Sequence, residues 1–140
     1  MKFGLIGRNI SYSFSKKYFE QKFHQLSLLN YSYDLFDIQR VEEVEKIFSI
    51  DNLRGLNVTI PYKEQVIPFL DELSDEAEKI GAVNCILIKN GKKTGYNTDV
   101  FGFEKSLLTY PKILSEKALI LGNGGAAKAV KYIFDKYNID

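Results

Sequence analysis

The chain has 140 residues, of which 45% are hydrophobic and 26% are charged, and its formal net charge is +1. These proportions are typical of a globular protein with a buried core, and they exclude an intrinsically disordered chain. Because positive and negative side chains are interspersed, we expect neither a nucleic acid nor an anionic membrane as a partner.

The cysteine, histidine and apolar content favour a cytoplasmic protein without a metal. Cys85 is the one cysteine, so no internal disulfide can form, which fits a reducing compartment. The apolar residues before Arg8 are too few for a signal peptide, and no apolar run approaches the roughly 20 residues of a membrane span. His24 has no ligand partners at metal spacing, so we expect no metal site.

Strands and helices alternate through the first 60 residues. Short apolar or alternating runs predict strands at 3–7, 31–36 and 55–60. Apolar residues at helical spacing predict helices at 14–29 and 41–48. This alternation favours a parallel sheet covered by helices.

The following segment contains shorter predicted elements. Pro61 suits a first helical position, because the N–H that proline lacks would be unpaired there. Ser74 suits the N-cap of the next helix, and Asn90-Gly91 is a strong signal for a hairpin turn. The predicted elements are helices at 61–73, 74–80 and 98–108 and hairpin strands at 83–89 and 93–96.

A second unit is predicted to begin near Pro111, which we interpret as part of a linker. A buried strand at 118–122 and a helix at 126–137 follow it. We therefore predict one domain at 1–110 and the start of another at 111–140. Because a single strand and helix cannot bury their own apolar face, we expect this second domain to be cut short.

Polar side chains collect where the third predicted strand ends. Asn57, Thr59 and Lys63 bring an amide, a hydroxyl and an amine to this strand end, which is where open α/β sheets bind small ligands. A lysine just inside a helix is usually a solvated surface residue when it occurs alone. The functional interpretation of Lys63 therefore depends on companions elsewhere in the chain.

Those companions lie beside other predicted strands and helix starts. Asp99 either caps the helix that follows it or serves catalysis. One of Ser13 and Ser15 either caps the first long helix or, together with helix-start N–H groups, binds a carboxylate. Asn84 and Thr98 complete the set.

A glycine-rich turn joins the last predicted strand to the last predicted helix. In this context such a turn lets the diphosphate of a nucleotide cofactor approach a helix N-terminus. The residues of the turn are Gly122, Asn123, Gly124, Gly125 and Ala126.

In their order and spacing, these five separated motifs resemble the shikimate dehydrogenase family. The resemblance runs from residue 3 to the end of the chain and covers the N-terminal half of the family's length. It implies an α/β fold with a mostly parallel open sheet and helices on both faces. The implied domains are a substrate-binding catalytic domain at 1–110 and, at 111–140, the first strand–helix unit of a truncated Rossmann domain.

The resemblance also implies roles for the matching residues. Lys63 and Asp99 match the family's proposed catalytic pair, and Ser13 and Ser15 match the pair that binds the carboxylate of shikimate. The residues implied to bind the rest of the substrate are Asn57, Thr59, Asn84 and Thr98, and those implied to bind NADP are Gly122, Asn123, Gly124, Gly125 and Ala126. The implied reaction is the reversible, NADP-dependent reduction of 3-dehydroshikimate to shikimate in aromatic amino-acid biosynthesis.

The sequence leaves several alternatives open. Asn9, Tyr12, Lys16 and Phe19 stand where the family commonly has Pro, His, Pro and His, so quinate is an alternative substrate. NAD is an alternative cofactor, because the residues that choose between NADP and NAD would follow Asp140. The protonation state of Lys63 is also open.

The predicted truncation has consequences for activity and assembly. We expect the 140-residue chain to be inactive alone and to form a homodimer or to be marginally stable. If the gene ends at residue 140, the chain is instead a non-catalytic module that binds an acid.

Overall fold

The computed structural model describes the backbone of residues 1–140 and every side chain except those of residues 113 and 115. A six-stranded sheet forms its centre. The strands are β1 (Lys2–Gly7), β2 (Ser32–Asp37), β3 (Leu53–Val58), β4 (Glu72–Leu73), β5 (Cys85–Lys89) and β6 (Lys92–Tyr96).

The sheet has the strand order β2-β1-β3-β5-β6-β4. Strand β1 pairs in parallel with β2 and β3, and β4 pairs in parallel with β6. Strand β5 pairs antiparallel with both of its neighbours, β3 and β6. The sheet is therefore mixed with a parallel majority, which confirms the predicted α/β fold class.

Five α-helices and three 3₁₀ turns accompany the sheet. The α-helices are α1 (Ser15–Gln25), α2 (Val44–Phe48), α3 (Asp75–Ile80), α4 (Asp99–Leu108) and α5 (Gly125–Tyr137), and the 3₁₀ turns are Val41–Glu43, Ile67–Phe69 and Pro111–Ser115. Among the residues that the structure describes, no helix combines the length and the apolar character needed to cross a bilayer.

Helices cover both faces of the sheet. Successive side chains of a strand point to opposite faces, so neighbouring residues of β1 pack against different helices. Leu5 packs with the aromatic residues of α1 in one cluster. Its neighbour Ile6 packs in the largest cluster, which includes residues of α2 and α3. A third cluster joins α3, α4 and α5, so it draws on both sides of the boundary predicted at residue 110.

Two local predictions are confirmed in detail. Asn90 and Gly91 have φ angles of 54° and 78°, the left-handed conformation that a tight hairpin turn needs. The Ser74 hydroxyl accepts a hydrogen bond of 3.2 Å from the N–H of Ala77 and thereby caps α3.

The helix predicted at 61–73 is wrong. After a cis peptide bond before Pro61, residues 60–66 form consecutive turns. Pro68 has no N–H for a helical ladder and interrupts any longer helix. The last part of the segment joins the sheet instead, because the N–H of Asp71 donates to the carbonyl of Lys93 at 2.9 Å.

The strand predicted at 118–122 is also wrong, since residues 117–123 form no regular structure. Leu119 and Leu121, expected to be buried, are 83% and 88% exposed. The N–H of Ala118 donates to the carbonyl of Asp140 at 2.7 Å, but a strand needs neighbours along its whole length. The first helix is shorter than predicted, because Ser27 turns the chain with a φ of 55°.

Candidate active site

The predicted polar residues lie at one edge of the sheet. The N–H of Thr59 donates to the carbonyl of Ile6 at 2.9 Å, and the N–H of Val58 donates to the carbonyl of Asn84 at 2.9 Å. These bonds join the carboxyl ends of β1 and β3 to the residue before β5. The edge therefore brings Asn57, Thr59 and Asn84 together, as the sequence predicts.

Lys63 and Asp99 form the centre of the site. Lys63 Nζ donates to Asp99 Oδ2 at 2.6 Å, and the two side chains are 16% and 33% exposed. The carbonyl of Lys63 accepts from the N–H of Val83 at 2.7 Å, which ties the turn after β3 to the start of β5. A lysine and a carboxylate in direct contact can together orient a reacting oxygen and exchange a proton with it.

Asn84 connects Asp99 to the loop before α4. Its Nδ2 donates to Asp99 Oδ1 at 2.8 Å and to Thr98 Oγ1 at 3.0 Å. Its Oδ1 accepts from the N–H of Thr98 at 2.8 Å. Asn84, itself hydrogen-bonded to Thr98, therefore holds the carboxylate oxygen of Asp99 that Lys63 does not contact.

The alternative that Asp99 caps a helix is not what the structure shows. Thr98 is the N-cap of α4 and makes no side-chain capping bond, while Asp99 is the first helical residue. The N–H of Asp99 donates to Asn97 Oδ1 at 3.1 Å, and Asn97 Nδ2 donates to the buried carbonyl of Ala82 at 3.0 Å. Asn97 is buried, with 7% of its surface exposed. The sequence placed it beside Asp99 but gave no signal of this role.

A second amide, that of Asn57, is held by a residue that the sequence did not single out. The Tyr33 hydroxyl donates to Asn57 Oδ1 at 2.8 Å. Burial raises the pKa of the Tyr33 phenol, with a smaller contribution from the nearby Cys85. The phenol therefore stays protonated and remains a donor.

Ser13 lies on the loop after β1, and Ser15 is the first residue of α1. Asp37, at the end of β2, anchors this loop by accepting the N–H groups of Asn9 and Ile10 at 2.9 and 3.1 Å. Ser13 Oγ accepts the N–H of Ser15 at 3.3 Å. The structure thus joins the two serines to each other and not to Lys63.

The glycine-rich turn lies across a cleft from Lys63. The cleft has a volume of about 470 Å³ and is lined by Thr59, Lys63 and Glu64 on one side and by Gly122, Gly124 and Gly125 on the other.

Two contacts hold the start of α5 against the turn that carries Lys63. A Cβ atom on Gly125 would lie 2.9 Å from the Cβ of Lys63, so only glycine allows this approach. Lys128 Nζ donates to Glu64 Oε2 at 2.5 Å. Around Gly122 and Gly124 nothing lies within 4 Å of such an added atom, so the turn leaves open space where a diphosphate would approach a helix N-terminus. These features fit a nucleotide cofactor.

A match to a protein-family model shows which family this chain belongs to. The model described as the shikimate dehydrogenase substrate binding domain matches residues 5–86, which is more than half of the chain. The chain belongs to this family. The assignment confirms the resemblance inferred from the five motifs.

Curated shikimate dehydrogenases extend well beyond the region that they share with this chain. The NADP⁺ enzyme of Chlorobium chlorochromatii is 45% identical over an alignment of 139 residues that covers 96% of this chain and 48% of that enzyme. The NADP⁺ enzyme of Staphylococcus epidermidis is 41% identical over an alignment of 133 residues that covers 93% of this chain and 49% of that enzyme. The chain spans about half the length of the curated relatives that it matches.

Solved shikimate dehydrogenase structures share the fold. The enzyme from Peptoclostridium difficile superimposes with a TM-score of 0.88 at 37% identity, over 99% of this chain and 52% of that one. The Thermus thermophilus enzyme in complex with NADP(H) and shikimate gives a TM-score of 0.83 at 32% identity, over 99% of this chain and 53% of that one.

Proposed function

We propose that this chain is the substrate-binding part of an NADP-dependent shikimate dehydrogenase. The reaction is the reversible reduction of 3-dehydroshikimate to shikimate, a step of aromatic amino-acid biosynthesis in the cytoplasm. The observation that carries the proposal is the 2.6 Å contact between Lys63 Nζ and Asp99 Oδ2, in a family whose members catalyse this reaction. The 140-residue chain is not expected to turn over substrate alone.

Lys63 and Asp99 act on the oxygen that changes between ketone and alcohol. In the reducing direction the ammonium of Lys63 donates a proton to this oxygen as negative charge develops there, and in the reverse direction Lys63 accepts the proton. Asp99 orients Lys63 and accepts a hydrogen bond from the substrate hydroxyl. Asn84 holds Asp99 in place through its 2.8 Å bond to Oδ1.

The remaining residues of the edge fix the substrate against this pair. Ser13 and Ser15 bind its carboxylate with hydroxyl groups and nearby N–H groups, without a second buried charge. Asn57 and Thr59 bind the ring hydroxyls. Fixing the substrate in one orientation is a large part of the rate enhancement, because the reacting atoms must stay aligned.

The glycine-rich turn binds the diphosphate of NADP. When bound, the cofactor supplies the hydride acceptor or donor for the substrate carbon. Gly122, Gly124 and Gly125 leave room for it at the start of α5, on the same cleft as Lys63. NAD remains the alternative cofactor, and quinate remains the alternative substrate.

Turnover by Lys63→Ala in the complete protein tests the catalytic assignment. We expect kcat for NADP reduction with shikimate to fall by about 10²–10⁴-fold, with a much smaller change in KM, because proton transfer matters mainly in the transition state. Lys131→Ala is the matched control, since Lys131 lies on the exposed side of α5 and pairs with Asp135.

The same assay separates the alternatives. A near-normal kcat with a raised KM would make Lys63 a binding residue and contradict its catalytic role. A wild-type protein that turns over quinate faster than shikimate would change the substrate assignment and keep the chemistry.

A further inference from the structure

The hydrogen bond between Tyr33 and Asn57 bears on how the site recognises its substrate. We infer that Tyr33 is a positioning residue that fixes the Asn57 side chain as a hydrogen-bond donor toward the substrate. This inference rests on the proposed function of the same site. It predicts that Asn57 selects a substrate oxygen with a free lone pair, such as a ring hydroxyl.

The orientation of a carboxamide decides what it recognises. One end of the group is an acceptor and the other end carries two N–H donors. In Asn57 the acceptor Oδ1 already receives the Tyr33 hydroxyl at 2.8 Å. The donor end is therefore the one available to a ligand.

The Tyr33 hydroxyl needs this acceptor. Tyr33 is 2% exposed, and a buried O–H without a hydrogen-bond partner destabilises the fold. Among the hydrogen bonds described in the structure, the bond to Asn57 is the one that the Tyr33 hydroxyl makes. A flip of the Asn57 amide would point N–H groups at the O–H group and leave the phenol proton without an acceptor.

Both residues are held in place by their surroundings. The ring of Tyr33 stacks on the ring of Phe19 in α1, with centroids 4.4 Å apart and planes 12° from parallel. Asn57 lies between Leu5 of β1 and Cys85 of β5 in the sheet. The pair therefore connects the packing of α1 to the direction in which Asn57 presents its N–H groups.

Asn84 shows the contrasting arrangement. Both ends of its carboxamide are hydrogen-bonded to Thr98 and Asp99. Asn57 has its acceptor end held by Tyr33 and its donor end free among the described contacts. We therefore assign recognition of a substrate oxygen to Asn57, and orientation of Asp99 to Asn84.

Tyr33→Phe in the complete protein tests the inference, because it removes the hydroxyl and keeps the ring that stacks on Phe19. We expect KM for shikimate to rise roughly two- to tenfold, the worth of one neutral hydrogen bond, while kcat changes less than twofold. Tyr31→Phe is the matched control, since the ring of Tyr31 stacks on Phe3 and its hydroxyl makes none of the described hydrogen bonds. We expect its KM to be unchanged.

A double-mutant cycle separates positioning from a general loss of stability. In an Asn57→Ala background, Tyr33→Phe should have no further effect on KM, because the amide that it orients is gone. If Tyr33→Phe raises KM equally with and without Asn57, or lowers the melting temperature and leaves KM unchanged, the inference is wrong.

An NMR measurement keeps the inference testable if the enzyme assignment fails. In the wild type, the two side-chain amide protons of Asn57 should give separate, sharp signals, and in Tyr33→Phe they should shift and broaden. Identical amide signals in the two proteins would overturn the inference whether or not shikimate is the substrate. A wild type that lacks shikimate turnover but shows the expected amide change would refute only the proposed function.

Discussion

The hydroxyl groups of Ser13 and Ser15 make few of the described hydrogen bonds. The Ser13 hydroxyl oxygen accepts one N–H at 3.3 Å, which leaves its proton and a second lone pair for a ligand. By contrast, the carboxylate of Asp99 has hydrogen bonds at both oxygens. At the scale of single residues, Ser13 therefore keeps hydrogen-bonding capacity for a ligand, whereas both oxygens of Asp99 already accept hydrogen bonds within the protein.

Replacing both serines by alanine should weaken binding of the substrate carboxylate without unfolding the protein. Each hydrogen bond to a charged group is worth about 1.5–3 kcal/mol, so shikimate affinity should fall at least tenfold. Isothermal calorimetry measures the change, and Ser11→Ala, at an exposed position of the same loop, is the control. Unchanged affinity in the double variant would limit the two serines to shaping the loop before α1.

At the scale of secondary-structure elements, the packing of α5 determines how the glycine-rich turn approaches Lys63. Gly125 packs directly on the side chain of Lys63, and Glu104 of α4 accepts hydrogen bonds from Lys136 and Tyr137 of α5 at 2.6 and 2.7 Å. The first contact sets the position of the N-terminal end of α5. The second sets the position of its C-terminal end.

Gly125→Ala should destabilise the protein, because the new Cβ would lie 2.9 Å from the Cβ of Lys63 and 3.1 Å from that of Ala82. Overpacking of this kind costs about 1–3 kcal/mol, measured as a lower free energy of unfolding in urea. Gly102→Ala is the matched control, since Gly102 is also helical and nothing lies within 4 Å of an added Cβ. The control should gain up to about 1 kcal/mol from its better helix propensity; equal changes in both variants would contradict the close contact.

The Glu104 contacts predict a pH dependence of stability. The hydrogen bond from Lys136, followed by that from Tyr137, lowers the pKa of the Glu104 carboxyl below its ordinary value. A group whose pKa is lower in the folded state stabilises the fold above its unfolded pKa of about 4.3, and this stabilisation is lost as the pH falls through the folded pKa. The wild type should therefore be more stable than Glu104→Gln at pH 7, and the difference should shrink below about pH 4.

Urea unfolding of both proteins between pH 3 and 7 measures this difference. Asp135→Asn is the control on the same helix, because the pair of Lys131 and Asp135 is exposed and such pairs contribute little. A stability difference for Glu104→Gln that stays constant across this pH range would show that the carboxyl does not titrate as proposed.

At the scale of the whole molecule, most of the fold and the grouping of most candidate site residues could be predicted from the sequence. These predictions depended on local turn and cap signals and on the shared edge of the sheet. The Asn90-Gly91 turn and the Ser74 cap depend on their own backbone conformation, and the structure has both. The polar strand ends were predicted to meet because strands of one sheet share an edge. Lys63 and Asp99 do meet there.

Two of the wrong predictions concern segments whose structure depends on distant partners. Residues 71–73 join the sheet beside β6. No local sequence pattern predicted this pairing. Residues 118–122 have a strand-like sequence, yet a strand forms only beside a neighbour. The role of Tyr33 depends on Asn57, 24 residues away, so the alternation that predicted β2 did not indicate what Tyr33 binds.

The segment around Leu119 and Leu121 leads to a prediction about assembly. Two large apolar side chains, 83% and 88% exposed, lie close together in a segment without regular structure. Exposed apolar surface of this kind tends to be buried by association. We expect the 140-residue chain to form dimers or larger species in light scattering at micromolar concentration, and we expect Leu119→Lys combined with Leu121→Lys to be monomeric.

Two further variants decide whether this segment is responsible. Leu29→Lys changes an equally exposed leucine, at 86%, outside the segment and should leave the association unchanged. Leu87→Lys changes the exposed leucine of an apolar groove of about 290 Å³ on the open part of the sheet. If Leu87→Lys gives a monomer and the double variant stays associated, the groove and not the 119–121 segment forms the contact. If the wild type is a monomer at all concentrations, the exposed leucines do not drive association.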